Sequence, residues 1–316
     1  MLARLRDLRH SGVLGINERN SDYIMRCNPR RLFPLVDNKV NTKNLAIGAA
    51  MAVPELYGLV QSQADARRLG EIINTRESFV IKPASGSGGD GIVVIDGRRK
   101  GRFRTIGGRL VALDDLVHHV SNIVGGQYSL TGAPDSAIVE YCVRFDPLFE
   151  QVSFRGVPDV RVVVYRGYPV MAMVRMPTQA SDGKANLHQG AVGAGVDLAT
   201  GLTLRGVQGN SPIDEHPDTG YPIAGVAIRR WPFILESAAR CYDVTGLGYL
   251  GVDMVIDRDL GPLILELNAR PGLNIQIANA SGLRPRLDIV DREFEPAADA
   301  SARADYSAER FGVASA

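Results

Sequence analysis

The segment from Gly251 to Asn274, GVDMVIDRDLGPLILELNARPGLN, constrains this chain more than any other. Two apolar runs, GVDMVID and PLILELN, flank a tight Arg-Asp-Leu-Gly turn and end at a Pro-Gly break, the pattern of a hairpin followed by a loop. Side chains alternate across a strand, so Glu266 and Asn268 share one face of the second run, and Asp253 can reach that face from the first. Two carboxylates and an amide oxygen then converge. Hard oxygen donors of this kind suit Mg2+, and no sulfur or imidazole lies in the segment to favour zinc. Taken alone, the hairpin also admits a plainer reading, with the three side chains on the solvated face of a strand pair.

A second segment, Ser78 to Asp96 (SFVIKPASGSGGDGIVVID), places Lys82 at the end of an apolar run with glycines behind it. Gly86, Gly88 and Gly91 match the spacing G-x-G-x-x-G. In dinucleotide-binding folds that motif opens a helix, whereas here the β-branched run IVVI follows. No Lys-Ser or Lys-Thr follows the glycines, which excludes a P-loop, and the HRD and DFG signatures of protein kinases do not occur. What remains is strand, glycine turn, strand, a geometry in which backbone amides and Lys82 can clamp a polyphosphate. A glycine-rich hairpin tip with no ligand is the alternative.

Elsewhere, Leu2, Leu5 and Leu8 fall at helical spacing among arginines, and residues 11 to 36 read as a loop-rich lead-in. Asp37 to Ala52 predicts a helix carrying Lys39 and Lys43, stopped before Val53-Pro54, and Ala64 to Ile73 predicts another. The adjacent His118 and His119 point to different sides of a helix, which favours a surface or packing role over a metal pair. Ala137 to Val143 predicts a buried strand interrupted by Glu140, a carboxylate that is costly there unless paired. Val157 to Val164 alternates so that Asp159 and Arg161 share a face, with Arg175 on a partner strand. Trp231-Pro232 starts a helix that reaches about Tyr242. Past Val290 the chain is rich in Ala, Ser and charge, which predicts a poorly ordered tail that catalysis can do without.

A chain of 316 residues with 45% hydrophobic content can bury a sizeable core, as one two-lobed unit or two domains. A formal charge of +1 supplies no global field toward nucleic acid or an anionic membrane. Cys27, Cys142 and Cys241 lie far apart without a CxxC, so neither a disulfide framework nor structural zinc is expected, and a reducing cytoplasm is the expected compartment. No apolar run approaches the roughly 18 residues of a membrane span, and no cleavable signal is expected.

In order and spacing, Lys43, FVIKP with its glycine loop, Glu140-Tyr141, Asp159-x-Arg161, Asn186-Leu-His-Gln-Gly190, GVDM and ELNARPG resemble the ATP-grasp superfamily across residues 37 to 290. The N-L-H-x-G loop and E-x-N-x-x-P-G strand look most like the RimK-like α-L-glutamate ligases. Within that group the chain is similar to the branch called glutamate ligase-like, or sugar-transfer-associated ATP-grasp. The resemblance implies an α+β fold, two α/β lobes clasping ATP between antiparallel sheets. A short lead-in (1–36) would precede an ATP-grasp domain (37–290), with a lid lobe at about 74–142, a catalytic lobe at about 143–290 and a flexible tail (291–316). It further implies that Lys43 and Lys82 contact nucleotide phosphates, that Ser85, Gly86, Ser87, Gly88, Gly89 and Gly91 form a mobile flap, and that Glu140-Tyr141 is the hinge at the adenine edge. Asp253, Glu266 and Asn268 match the ligands of two Mg2+ ions, a role Mn2+ could also fill. Arg161, Arg175, Asn186 and Arg270 match positions that hold the transferring phosphate and the acyl substrate.

The implied activity is an ATP-dependent carboxylate-amine ligase working through an acyl phosphate. The alternatives are an ATP-grasp kinase acting on a hydroxyl or sugar-linked acceptor, and a nucleotide-binding module of an envelope-polymer system. RimK-type ligases carry an α/β domain of about a hundred residues ahead of the matched region, where this chain has 36. One wall of the substrate site is therefore expected to be open or differently supplied. Arg4, Arg6, Arg9, Arg19, Arg26, Arg30 and Arg31 make that front basic, suited to a large or anionic acceptor such as a peptide or an envelope-polymer end, and a second subunit closing the site is the other possibility.

Overall fold

The computed structural model describes residues 11–86, 88–129 and 132–312, so the leucine-spaced helix expected at residues 2–10 lies outside the described residues. The chain divides into two compact units, one of residues 38–44 and 53–144, the other of residues 1–37, 45–52 and 145–316.

The smaller unit is built on a six-stranded antiparallel sheet. Its strands are β1 (Leu56–Val60), β2 (Phe79–Pro83), β3 (Val93–Arg99), β4 (Arg102–Thr105), β5 (Leu110–Val111) and β6 (Ala137–Glu140), in the order β1-β6-β2-β3-β4-β5. Helix α1 (Lys39–Gly48) contributes Lys43 to this unit, and α2 (Leu113–Val124) covers the sheet. Leu116, Val120, Ile123 and Val124 recur at helical spacing on the buried side of α2 and pack with Phe79, Ile81, Ile95 and Val139. The single helix expected over Ala64 to Ile73 is two short ones, Gln63–Ala66 and Leu69–Ile73.

The larger unit carries a seven-stranded sheet of β7 (Asp159–Tyr165), β8 (Tyr168–Met176), β9 (Val192–Val196), β10 (Thr203–Gln208), β11 (Ser211–Ile213), β12 (Tyr249–Asp257) and β13 (Gly261–Asn268). Their order is β11-β10-β9-β8-β7-β12-β13, all pairs antiparallel. Asp257 Oδ1 accepts from the amides of Asp259 and Leu260, both at 2.9 Å, and Gly261 takes a φ of 81°, so the expected β12–β13 hairpin closes at the expected turn. Helix α3 (Trp231–Thr245), α4 (Arg284–Glu293) and α5 (Ala300–Phe311) complete the unit. Together the two sheets make the fold α+β, and no helix among the described residues is long and apolar enough to cross a membrane.

Both chain ends depart from expectation. The lead-in is helical rather than loop-rich: Ile16–Glu18, a π turn over Arg19–Ile24, then Met25–Cys27. Asn28 fastens it, its amide nitrogen donating to the carbonyls of Tyr249 (2.7 Å) and Ala269 (2.9 Å) while its oxygen accepts from the Tyr249 amide (2.8 Å).

The tail is packed as well. Asp291 accepts from the Tyr165 hydroxyl and from Arg26, both at 2.8 Å, while α5 lies against α3 and β8. Its buried residues Ala300, Arg303, Ala304, Ser307 and Phe311 recur at helical spacing. That stripe is made mostly of small residues, so average composition conceals it while periodicity reveals it. Arg303 spans the junction, pairing with Asp243 at 2.6 Å and donating to Ala298 O at 2.6 Å and to Gly167 O at 3.2 Å. Phe311→Ala is expected to cost about 3 kcal/mol, and truncation after Asp299 to lower the urea midpoint further. A midpoint unchanged by truncation would mean the helix is not part of the cooperative core.

Candidate functional site

The central strands of the seven-stranded sheet bring a row of polar side chains onto one face. Asp253 on β12 stands opposite Glu266 on β13 and opposite Arg161 on β7, while Gly251 stands opposite Asn268. Asp159 and Arg175 face each other across β7 and β8, two residues along. Opposed residues share a face in an antiparallel ladder, so register alone assembles the group. Gly251 is required for the loop that follows, because a Cβ there would come 2.7 Å from the Pro271 Cβ.

Asp253 is the hub. Its Oδ1 accepts from Arg161 Nε at 2.7 Å, and its Oδ2 accepts from Arg161 Nη2 at 2.5 Å, Arg175 Nη2 at 2.9 Å and Asn268 Nδ2 at 3.3 Å. Arg175 also forks onto Asp159, at 2.6 and 2.5 Å. Burial works to raise the Asp253 pKa, but the guanidiniums of Arg161 and Arg175 outweigh it and pull it down to about 2. Asp159 goes the other way, to about 6, because burial outweighs Arg175 and the charge of Asp253 adds to it. Burial opposes protonation of Arg175, yet Asp159 and Asp253 raise its pKa overall.

A different cluster lies in the smaller unit. Glu140, at the end of β6, is 3% exposed and flanked by two buried lysines, Lys43 on α1 and Lys82 on β2. Lys43 Nζ lies 2.9 Å from Glu140 Oε2 and also donates to the Pro54 carbonyl, while Lys82 Nζ pairs with Glu140 Oε1. Burial would raise the Glu140 pKa, but Lys82 and Lys43 hold it below the ordinary value. Burial lowers that of Lys43, with Glu140 opposing and Lys82 adding to the fall. Two ammonium groups against one carboxylate leave a surplus positive charge in a dry place. The strand expected over Ala137 to Val143 ends at Glu140, and its carboxylate is paired, as its burial demands.

The glycine loop between β2 and β3 is tied at several points. The Ser85 amide donates to Asp135 at 2.9 Å, Lys39 Nζ donates to Gly86 O at 2.6 Å, and His119 Nε2 lies 2.9 Å from Gly91 O. Gly88, Gly89 and Gly91 all have positive φ, and a Cβ on Gly91 would meet the Tyr128 ring at 2.7 Å. Ser87 lies outside the described residues. Sequence reasoning missed Asp135 and Lys39 as loop anchors and gave His119 a surface or packing role. Each is distant in sequence from the loop or unremarkable in type, so no local pattern marks it. Beside Glu140, the Tyr141 amide donates to Glu55 O at 2.8 Å.

Two nominated residues are engaged away from the Asp253 group. Asn186 Oδ1 accepts from the His188 amide at 3.0 Å and caps the short helix Leu187–Gln189. Arg270 pairs with Asp37 at 2.8 Å and lies 4.8 Å over the Phe33 ring.

Among the described residues, no three His, Cys, Asp or Glu side chains stand arranged as a ready metal site. A cation on the sheet face would instead take Asp253 and the opposed Glu266 with the amide oxygen of Asn268, a hard-oxygen set that fits Mg2+. Both oxygens of Asp253 already accept from N–H donors, so such a cation would displace guanidinium contacts.

Two antiparallel sheets with flanking helices accord with the ATP-grasp fold. The family model for sugar-transfer associated ATP-grasp matches residues 18–292, and the chain belongs to that family. The match supports the ATP-grasp superfamily and its sugar-transfer-associated branch, and does not specifically support the RimK-like subtype. Among curated proteins none matches. Solved structures with a similar fold include the ATP-grasp ligase PsnB complexed with its minimal precursor (16% identity, TM-score 0.45, 85% of this chain and 63% of that one). D-cycloserine synthetase DcsG is another (17%, 0.47, 87% and 80%), as is the D-alanine–D-alanine ligase of Bacillus anthracis (13%, 0.43, 87% and 66%). This chain thus spans less than two thirds of the length of PsnB.

Replacing Arg175 with Met leaves Asp159 and Asp253 sharing a buried face with one guanidinium fewer. A loss of about 3 kcal/mol is expected in urea unfolding, partly recovered when Asp159→Asn is added. Equal stability of wild type and Arg175→Met would mean the network contributes nothing to the fold.

Proposed function

We propose that the chain is an ATP-dependent carboxylate-amine ligase. Family membership supports ATP use, and the observation that carries the reading furthest is the sheet face on which Asp253, Glu266 and Asn268 adjoin Arg161 and Arg175. A substrate carboxylate oxygen attacks the γ-phosphorus, the bond to the β-phosphate oxygen breaks, and ADP leaves. An amine then attacks the acyl carbon, phosphate departs, and the amine gives up its proton to solvent. Carboxylates are poor electrophiles, so phosphorylation supplies the leaving group.

In this reading Asp253, Glu266 and Asn268 hold Mg2+, which when bound supplies charge neutralisation on the phosphates. Once drawn off Asp253, Arg161 and Arg175 present fork donors to phosphoryl oxygens. The Lys43–Lys82–Glu140 set, with its surplus positive charge, serves the nucleotide phosphates, and the glycine loop covers them. No side-chain nucleophile is needed. The three free cysteines accord with a reducing cytoplasm.

The family's association with sugar transfer keeps a kinase as the second reading, in which the phosphoryl group stays on a hydroxyl. Hydroxylamine separates the two, because it converts an acyl phosphate to a hydroxamate and leaves a phosphate ester intact. An ADP-release screen of amino acids, short acidic peptides and polymer fragments, with hydroxylamine present and mass spectrometry of products, is expected to give hydroxamate. A stable phosphate ester in its place would overturn the ligase reading.

Lys82→Ala is expected to weaken ATP binding. Glu266→Gln is expected to keep the melting temperature of the free protein but to abolish both ADP release and the extra thermal stabilisation that Mg2+ adds to bound ADP. Full Mg2+ stabilisation in Glu266→Gln would remove Glu266 from the metal set.

A further inference from the structure

The helical lead-in forms one wall of a cavity of about 670 Å3 within the larger unit, lined in part by Arg19, Arg30 and Arg270 together with Ile24, Met25 and Phe33. Volumes in this range hold small organic ligands or the end of a longer one. Arg19 is only 8% exposed. Its Nε and Nη2 donate to Asn20 Oδ1 at 3.1 and 2.7 Å, and its Nη1 donates to Pro271 O at 2.9 Å. These acceptors are neutral, and no carboxylate pairs with Arg19 among the described residues. A guanidinium has five N–H donors, so these three bonds leave two over.

Buried charge is ordinarily paired with its opposite. Here the neighbouring charge is instead Arg270. Burial lowers the Arg19 pKa, Tyr249 opposes, and Arg270 adds to the fall. Arg270 stacks on Phe33 and has Asp37 as its partner, and the residues that line the cavity include three arginines and no carboxylate. The π turn over Arg19–Ile24 produces this wall, placing both its first and its last residue on the cavity. Such turns are rare and are frequent at functional sites. Met25, 72% exposed, and Phe33 supply apolar surface beside the charges.

We propose that this cavity binds an oxyanion, a carboxylate or a phosphate, carried on an apolar segment, with Arg19, Arg30 and Arg270 taking the anion and Ile24, Met25 and Phe33 taking the segment. The site does not depend on the ligase reading, and its binding is measured without nucleotide.

The test titrates the full chain calorimetrically with hexanoate and hexyl phosphate, and with hexanol and hexylamine as neutral and cationic ligands on the same stem. At least one anion is expected to bind, with hexanol and hexylamine roughly tenfold weaker or worse. A preference for hexanoate assigns the group as carboxylate, and a preference for hexyl phosphate assigns it as phosphate. Arg19→Gln and Arg30→Glu are each expected to weaken the preferred anion roughly tenfold. Arg30 is exposed, so its variant still reports if Arg19→Gln does not fold. Binding of neither anion, equal binding of hexanol or hexylamine, or unchanged affinity in the folded variants would overturn the proposal.

Discussion

A buried carboxylate between two guanidiniums organises the larger unit. Asp253 lies in the middle of a strand whose other residues are almost all apolar and buried, so its charge is tolerable only if donors reach it from both sides. The ladder supplies them. Because β12 runs between β7 and β13, Arg161 donates from one side, with Arg175 reaching from the next strand, and Asn268 on β13 donates from the other. A slip of one residue would turn Asp253 to the opposite face and strand it without partners. Electrostatics therefore fixes the same register that hydrophobic packing favours, and any chemistry on this face depends on that register.

The smaller unit solves a comparable problem with the opposite balance. Glu140 is buried at the end of β6 with two lysines around it, and the excess is positive. On the sheet face of the larger unit, Asp159 and Asp253 pair with Arg161 and Arg175, and Glu266 opposite Asp253 adds a third carboxylate. An incoming anion meets uncompensated charge at Lys43 and Lys82, whereas on the larger unit's sheet a charged ligand must first displace an existing ion pair. That difference accords with a polyphosphate for the former and a cation-linked, rearranging role for the latter.

Much of this was legible in the residues. Alternation located the β12–β13 hairpin and put Glu266 and Asn268 on one face, and the run IVVI after the glycines ruled out a helix there. The pairing of Asp159 with Arg175 was only half visible, since spacing along one strand says nothing of which strand lies beside it. Chain ends misled in a consistent way. Residues 11–36 carry Gly, Asn, Arg and Pro in irregular order, which reads as loop, and the segment after Val290 is rich in Ala, Ser and charge, which reads as poorly ordered. Each instead buries a narrow stripe: Leu14, Tyr23 and Ile24 in one, Ala300, Ala304 and Phe311 in the other. Arg303 and Asn28 contribute through hydrogen bonds that composition does not register.

Local sequence determined the strands, the turn at Asp257, the positive-φ glycines of the loop and the kinds of side chain on offer, because these depend on dihedral preference and on period. Tertiary structure alone decided which of those side chains meet. Asp253 with Arg175, Glu140 with Lys43, Asp135 with the Ser85 amide and Arg19 beside Arg270 are meetings of residues 50 to 251 positions apart. Such meetings are selected by the joint demand that buried charge be paired and apolar surface covered. No window of sequence contains that demand, because it is set by whatever the rest of the chain has already placed nearby.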